Sequence, residues 1–156
     1  MKKLILAIIL VVTLSQFSQA QDYKTSLGLR GGLPVGLTVK HFLSDKYALE
    51  GILGSRWGGF EVAGLYEVEQ WTGQYPALNW YWGAGAHLGT WSQGYNPRIA
   101  AAYNGAVIGI DGVIGIEYTF DELPLNLSLD LMPAINIIGF TGWGGINGAL
   151  SIRYVF

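Results

Sequence analysis

The sequence predicts an all-β protein: a closed eight-stranded antiparallel up-and-down transmembrane β-barrel preceded by a cleaved signal peptide, with ten strands as the alternative count. Three observations carry that expectation. Beyond residue 20 the hydrophobic pattern alternates with a period of two. The chain is 51% hydrophobic and only 13% charged, where a soluble domain carries about 25% charged residues. Its 23 glycines are scattered through the periodic segments, and each costs a helix about 1 kcal/mol relative to alanine.

Residues 1–20 read as the signal peptide. Lys2 and Lys3 form the basic start, Leu4 to Leu14 the apolar stretch, and Ser18-Gln19-Ala20 the small-residue cleavage site. The apolar run falls short of the ~20 residues that span a bilayer as a helix, and Ser15, Gln16, Ser18 and Gln19 end it. Residues 21–156 then suffice for one barrel domain. Removing Lys2 and Lys3 leaves seven basic residues against eleven acidic ones, a net charge of −4, without a basic cluster suited to nucleic acid. The chain has no cysteine, which excludes a lipidated-Cys anchor, disulfides, thiol catalysis and thiolate metal sites.

The strands follow in order. Leu27 and Leu29 alternate with Ser26 and Arg30, and Gly31 to Pro34 turn the chain into Val35, Leu37 and Val39 against Thr38 and Lys40. After Leu43 to Lys46, Tyr47, Leu49 and Leu53 oppose Glu50 and Arg56; Gly58-Gly59 then leads to Phe60, Val62, Tyr66 and Val68 against Glu61 and Glu67. Ile52 and Leu65 break the alternation. A fifth strand, after the Gln70 to Ala77 connection, sets Leu78, Trp80, Trp82, Ala84, Ala86 and Leu88 opposite Asn79, Tyr81, His87 and glycines. Beyond a long Trp91 to Gly105 loop, Ile108, Ile110, Ile114, Ile116 and Tyr118 share a face opposite Asp111, Glu117 and Thr119. Phe120 to Pro124 form a short turn into Leu125, Leu127, Leu129 and Leu131, which alternate with Asn126, Ser128 and Asp130. A Gly139 to Gly145 loop precedes the last strand, with Leu150, Ile152, Tyr154 and Phe156 on one face and Ala149, Ser151 and Arg153 on the other.

Period two alone describes a soluble lipocalin-like barrel equally well. The polar face decides. It carries Gly28, Gly32, Gly36, Gly54, Gly83, Gly85, Gly109 and Gly115 beside serines and few charges, a poor coat for water but a good filling for the narrow interior of eight strands. The branched, leucine-rich face is then expected to meet lipid. Tyr23, Tyr47, Trp57, Phe60, Trp80, Tyr118, Trp143 and Tyr154 stand near strand ends, as interfacial girdles require. With both termini in the periplasm, the Trp91 to Gly105 and Gly139 to Gly145 loops fall outside and the short turns inside; Gln70 to Ala77 is long for a periplasmic turn.

The carboxyl-terminal run ALSIRYVF, with Leu150, Ile152, Tyr154 and Phe156 at alternate positions, resembles the insertion signal that the outer-membrane assembly machinery reads. Together with GLRGG, GLTVKHF, LNWYWGAGAH, IGIDGVIGIEYTF and PLNLSLDLMP, it is similar to small, largely uncharacterised outer-membrane β-barrel proteins of Bacteroidetes, over most of residues 27–156. The resemblance implies the cell outer membrane as location, outer-membrane lipid and the assembly machinery as partners, and an eight-stranded OmpA/OmpX-like architecture. It implies no activity.

The candidate site is the barrel interior, where alternation places Arg30, Lys40, Glu50, Arg56, Glu61, Glu67, His87, Asp111, Glu117, Asp130 and Arg153. Counting from the turns pairs Lys40 with Glu50 across strands two and three, and Arg56 with Glu61 across Gly58-Gly59. Ionisable residues at membrane depth often mark an ion path or a ligand site. The sequence favours a charge-balanced plug over a narrow channel or transporter, because buried charges need partners and an eight-stranded lumen has little free space. A lipid-modifying enzyme would have to use His87 and Ser92, whose spacing matches no catalytic pattern, and no GxSxG-type turn is present. Metal spacing of the His-x-His kind is absent, no cofactor is implied, and GLRGGLPVG has no following helix to bind phosphate. Trp91, Tyr95, Arg98 and Tyr103 in the Trp91 to Gly105 loop could hold lipopolysaccharide or a small apolar solute. The expected role is structural or surface-binding, without catalysis.

Overall fold

A computed structural model describes residues 24–56, 58–73, 77–92 and 104–156. The signal-peptide reading, Tyr23, Trp57 and loop residues Tyr95, Arg98 and Tyr103 lie outside the described residues. Eight strands form: β1 (Thr25–Gly32), β2 (Val35–Ser44), β3 (Tyr47–Arg56), β4 (Gly59–Trp71), β5 (Leu78–Trp91), β6 (Gly105–Thr119), β7 (Leu125–Ile138) and β8 (Gly142–Val155). Each pairs antiparallel with its neighbour in sequence, and β1 pairs with β8, so the sheet closes as an eight-stranded barrel. The seam is fastened at the termini, where Thr25 and Phe156 exchange backbone hydrogen bonds at 2.9 and 3.3 Å.

Alternation dictates the two faces. Leu27, Leu29, Leu37, Leu53, Ile110, Ile114, Leu129 and Leu150 point outward and are 43–67% exposed, while Arg30, Lys40, Glu50 and Arg153 on the opposite face are at most 2% exposed. Inward glycines set the curvature. A Cβ on Gly28 would stand 1.9 Å from the Ile152 carbonyl oxygen, one on Gly36 2.1 Å from that of Leu53, and one on Gly85 1.9 Å from that of Gly64. At these points a neighbouring backbone passes directly beneath the strand, so the sheet bends more tightly than side chains would allow.

The strands extend beyond the clearest periodic runs, and the seventh connection is shorter than the sequence suggests. It spans residues 139–141, not Gly139 to Gly145, because β8 begins at Gly142 and pairs with Asn136. The glycine-rich Gly142 to Gly145 stretch looks like a loop in sequence but is a bulged strand start. The register shifts between Ala134 and Ile135, and Gly142 and Gly145 adopt φ of +128° and +99°, which side chains disfavour. Ile52 and Leu65 keep the inward direction that alternation assigns them; what is irregular is their apolar character, since both are buried.

Candidate functional site

All eleven predicted interior residues are buried. The end of the barrel at which β1 begins and β8 ends is its lower end. On five strands an uncharged stretch separates a lower polar residue from an upper one: Glu50 from Arg56 by Ile52 and Gly54, Glu67 from Glu61 by Leu65 and Ala63, and Tyr81 from His87 by Gly83 and Gly85. On the remaining two, Gly115 and Val113 separate Glu117 from Asp111, and Met132 and Ala134 separate Asp130 from Asn136. Ile52, Ala63, Leu65, Val113 and Met132 pack together with the Tyr81 ring as one apolar layer across the lumen.

Below that layer lies a connected ionic group. Arg30 donates to both oxygens of Asp130, at 2.8 and 2.5 Å, and the Tyr81 hydroxyl donates to the same carboxylate at 3.2 Å. Arg153 donates to Glu50 at 2.5 Å, Ser128 at 2.8 Å and Asn126 at 3.1 Å, and the Thr38 hydroxyl also donates to Glu50. Lys40 Nζ lies 2.9 Å from Glu67, 2.5 Å from Glu69 and 2.8 Å from Glu117, and sits 4.2 Å from the centre of the Tyr81 ring.

Above the layer, Arg56 donates to Glu61 at 3.1 Å and to the Gly144 carbonyl at 2.6 Å, with its guanidinium 5.7 Å from the Trp91 ring centre. His87 Nδ1 donates to Asp111 at 2.9 Å, and its Nε2 faces the Asn136 amide oxygen at 3.0 Å. Gly109 makes room for that imidazole, since a Cβ there would lie 2.4 Å from His87 Cε1.

Two sequence-based pairings change. Lys40 and Glu50 are register partners, yet each binds elsewhere: Lys40 to Glu67, Glu69 and Glu117, Glu50 to Arg153 and Thr38. In so narrow a lumen a long side chain reaches strands across the barrel as easily as its neighbour. Arg56 and Glu61 do pair, but diagonally, because the register sets Arg56 against Gly59 and Glu61 against Gly54. Glu69 is an additional member of the site, buried and bound to Lys40. It continues the Glu61 and Glu67 face at even spacing, a signal present in the sequence once β4 is extended to Trp71.

The other candidates separate. Ser92 donates to the Gly58 carbonyl at 3.2 Å, while both His87 ring nitrogens are engaged by Asp111 and Asn136, so no hydrogen bond joins Ser92 and His87. Trp91 is the last residue of β5 and turns inward, 5% exposed, its ring 5.7 Å from that of Phe140. It caps the upper group and is not displayed on a loop. Leu150, Ile152 and Phe156 are exposed on the outer wall and Tyr154 is half-buried there. Two concavities, of about 600 and 500 Å³, lie on the outer wall along Leu27, Leu29, Leu150 and Ile152 and along Val39, Leu49, Tyr66 and Ala84. Among the described residues no group of three or more histidines and carboxylates could hold a metal ion. No protein-family model, curated protein or solved structure matches the chain.

Proposed function

We propose that this chain is a small integral outer-membrane β-barrel protein of OmpA/OmpX-like architecture, exported by a signal peptide at residues 1–20, with a structural or surface-binding role and no catalysis. The observation that carries the reading is the inversion of the usual polarity: large apolar side chains cover the outer wall, and the charges are inside. In water that wall would be one continuous apolar surface, far beyond the few hundred Å² that soluble monomers expose. In lipid it is the ordinary solvent-facing side, and a closed sheet leaves no backbone edge to satisfy.

Aromatic placement supports the same reading. Tyr47 and Tyr66 stack at 5.8 Å, Tyr118 and Phe120 meet edge to face at 4.9 Å, and Tyr154 and Phe156 stack at 6.4 Å. With exposed Trp71 and Trp80 they ring the lower part of the barrel, and exposed Phe60 and Trp143 stand near the upper end. Two such belts are what a bilayer's interfaces favour. The outward Leu150, Ile152, Phe156 series suits recognition by the outer-membrane assembly machinery. Surface binding of lipopolysaccharide or a small apolar solute is assigned to the connection between Trp91 and Gly105.

Refolding residues 21–156 from urea into detergent tests the proposal. The expected product is rich in strand by circular dichroism and migrates faster on a gel when unheated. A chain that folds and stays soluble without detergent would overturn it. Replacing residues 93–103 by a short turn should leave that product intact and abolish binding to lipopolysaccharide micelles; unchanged binding would remove the loop from the assignment.

A further inference from the structure

The two ionic groups of the lumen differ in their balance of charge. Above the apolar layer, Arg56 pairs with Glu61 and the His87 ring hydrogen-bonds Asp111, so each carboxyl group has its own nitrogen partner. Below it, Arg30, Lys40 and Arg153 stand with Glu50, Glu67, Glu69, Glu117 and Asp130, five carboxyl groups against three cations. All eight side chains are at most 4% exposed. Two uncompensated charges at such burial are unstable without a counter-ion.

The donors run out at the same place. The three N–H bonds of Lys40 serve three carboxyl groups at most, and Glu67 Oε1, Glu69 Oε2, Glu117 Oε1 and Glu50 Oε2 accept no hydrogen bond. Glu67 is the clearest case. Its side chain is fully buried, neither oxygen accepts a hydrogen bond, and Oε2 merely stands near Lys40. The register pairs Glu67 with Ala48 and Glu50 with Leu65, so the Glu50 and Glu67 side chains are diagonal neighbours on the inner face of β3 and β4. Two ionised carboxylates only accept, so a hydrogen bond between them requires a proton.

A metal ion does not fit this place. The described residues offer no metal-holding geometry. We infer that the counter-ions of the lower group are protons, two at neutral pH, one of them shared between the Glu50 and Glu67 carboxyl groups. The second belongs to the Glu69 and Glu117 carboxyl groups around Lys40. Glu69, nearest the lower opening, is the exchange point with the solution at that end. The apolar layer of Ile52, Ala63, Leu65, Val113 and Met132 closes the route to the upper group. The barrel is thereby a one-sided proton store whose loading controls its own stability.

The sign follows from linkage. The folded chain holds two protons that the unfolded chain releases at neutral pH, so stability falls as pH rises. While the folded chain still holds both protons, the unfolding equilibrium constant climbs about a hundredfold per pH unit.

Infrared spectroscopy of the folded mature chain at neutral pH tests the inference, in whichever solvent the barrel folds, so its outcome is independent of the membrane assignment. A protonated-carboxyl C=O stretching band is expected, and Glu67→Gln, a neutral isostere, should lose about half of it. The same variant should unfold at nearly the wild-type urea concentration at neutral pH, and its unfolding constant should rise only about tenfold per pH unit on alkalinisation. A wild-type spectrum with no such band overturns the inference by itself, whether or not the variant folds. So does a Glu67→Gln variant that keeps the whole band or loses none of the pH dependence.

Discussion

Replacing Arg30 by Met should weaken the barrel by about 3–5 kcal/mol. Arg30 lies on β1 and reaches past β8 to Asp130 on β7, donating through Nη1 at 2.8 Å and Nη2 at 2.5 Å, with both side chains fully buried. Met fills much of the same volume, so the loss is mainly polar. Two charge-assisted hydrogen bonds contribute about 1.5–3 kcal/mol each, and Asp130 would be left with the Tyr81 hydroxyl at 3.2 Å as its sole strong donor. Removing one partner of a buried pair costs about 3–5 kcal/mol, a factor of about 150 to about 5,000 in the unfolding equilibrium. The double variant Arg30→Met/Asp130→Asn removes both charges, and Asn still accepts from Tyr81. It should recover at least about 2 kcal/mol of the summed single losses. Urea titration of the four proteins in detergent micelles, followed by tryptophan fluorescence and gel mobility, measures the cycle. An Arg30→Met loss below about 1 kcal/mol, or strict additivity, would refute the claim that this pair holds β1 to β7.

Three further outcomes rest on the same geometry. Gly115→Ala would set a Cβ 2.6 Å from Tyr81 Cζ and 2.8 Å from the Leu129 carbonyl oxygen; it should cost about 1–3 kcal/mol, and Tyr81→Ala should reduce that increment when the two are combined in urea titrations. Leu131, 53% exposed and paired with Ile114 and Gly148 near mid-height, tests the lipid-facing assignment. Leu131→Arg should cost about 2–4 kcal/mol in bilayers, and no loss there would contradict the assignment. Phe156→Ala should reduce the amount of assembled barrel in cells several-fold while leaving detergent refolding yield unchanged, and equal losses in both assays would make Phe156 a stability residue, not a recognition one.

The strands and their two faces are legible because alternation is a local property. Lys40, Glu50 and Arg153 can be assigned inward from their neighbours alone. Their partners cannot, since Lys40 meets Glu117 77 residues away and Arg30 meets Asp130 100 residues away. Such contacts exist only after closure, when the lumen is narrow enough for side chains to cross it. Glu69 escapes because the clear alternation ends at Val68, and Trp91 because an aromatic residue beside a loop looks the same facing in or out. The start of β8 is hidden by Gly142, Gly144 and Gly145, residues whose ordinary signal is a loop.

Ile52 and Leu65 carry more information than their sequence pattern suggests. They interrupt the polar face, and an interrupted face is usually taken as a frayed strand. In the folded chain they stand side by side with Ala63, Val113 and Met132 and divide the charges into an upper and a lower set. A solute path through this barrel would require continuous polar lining, since an ion passing an apolar layer loses hydration that nothing replaces. The layer therefore weighs against a conducting lumen more strongly than the ion pairs do, because ion pairs line channels as well as plugs. It also holds the two sets apart, so that Arg56 and His87 pair with Glu61 and Asp111 above and make no ion pair with the carboxyl groups below. The lower group's demand for counter-ions and the closure of the lumen thus arise from the same five apolar side chains.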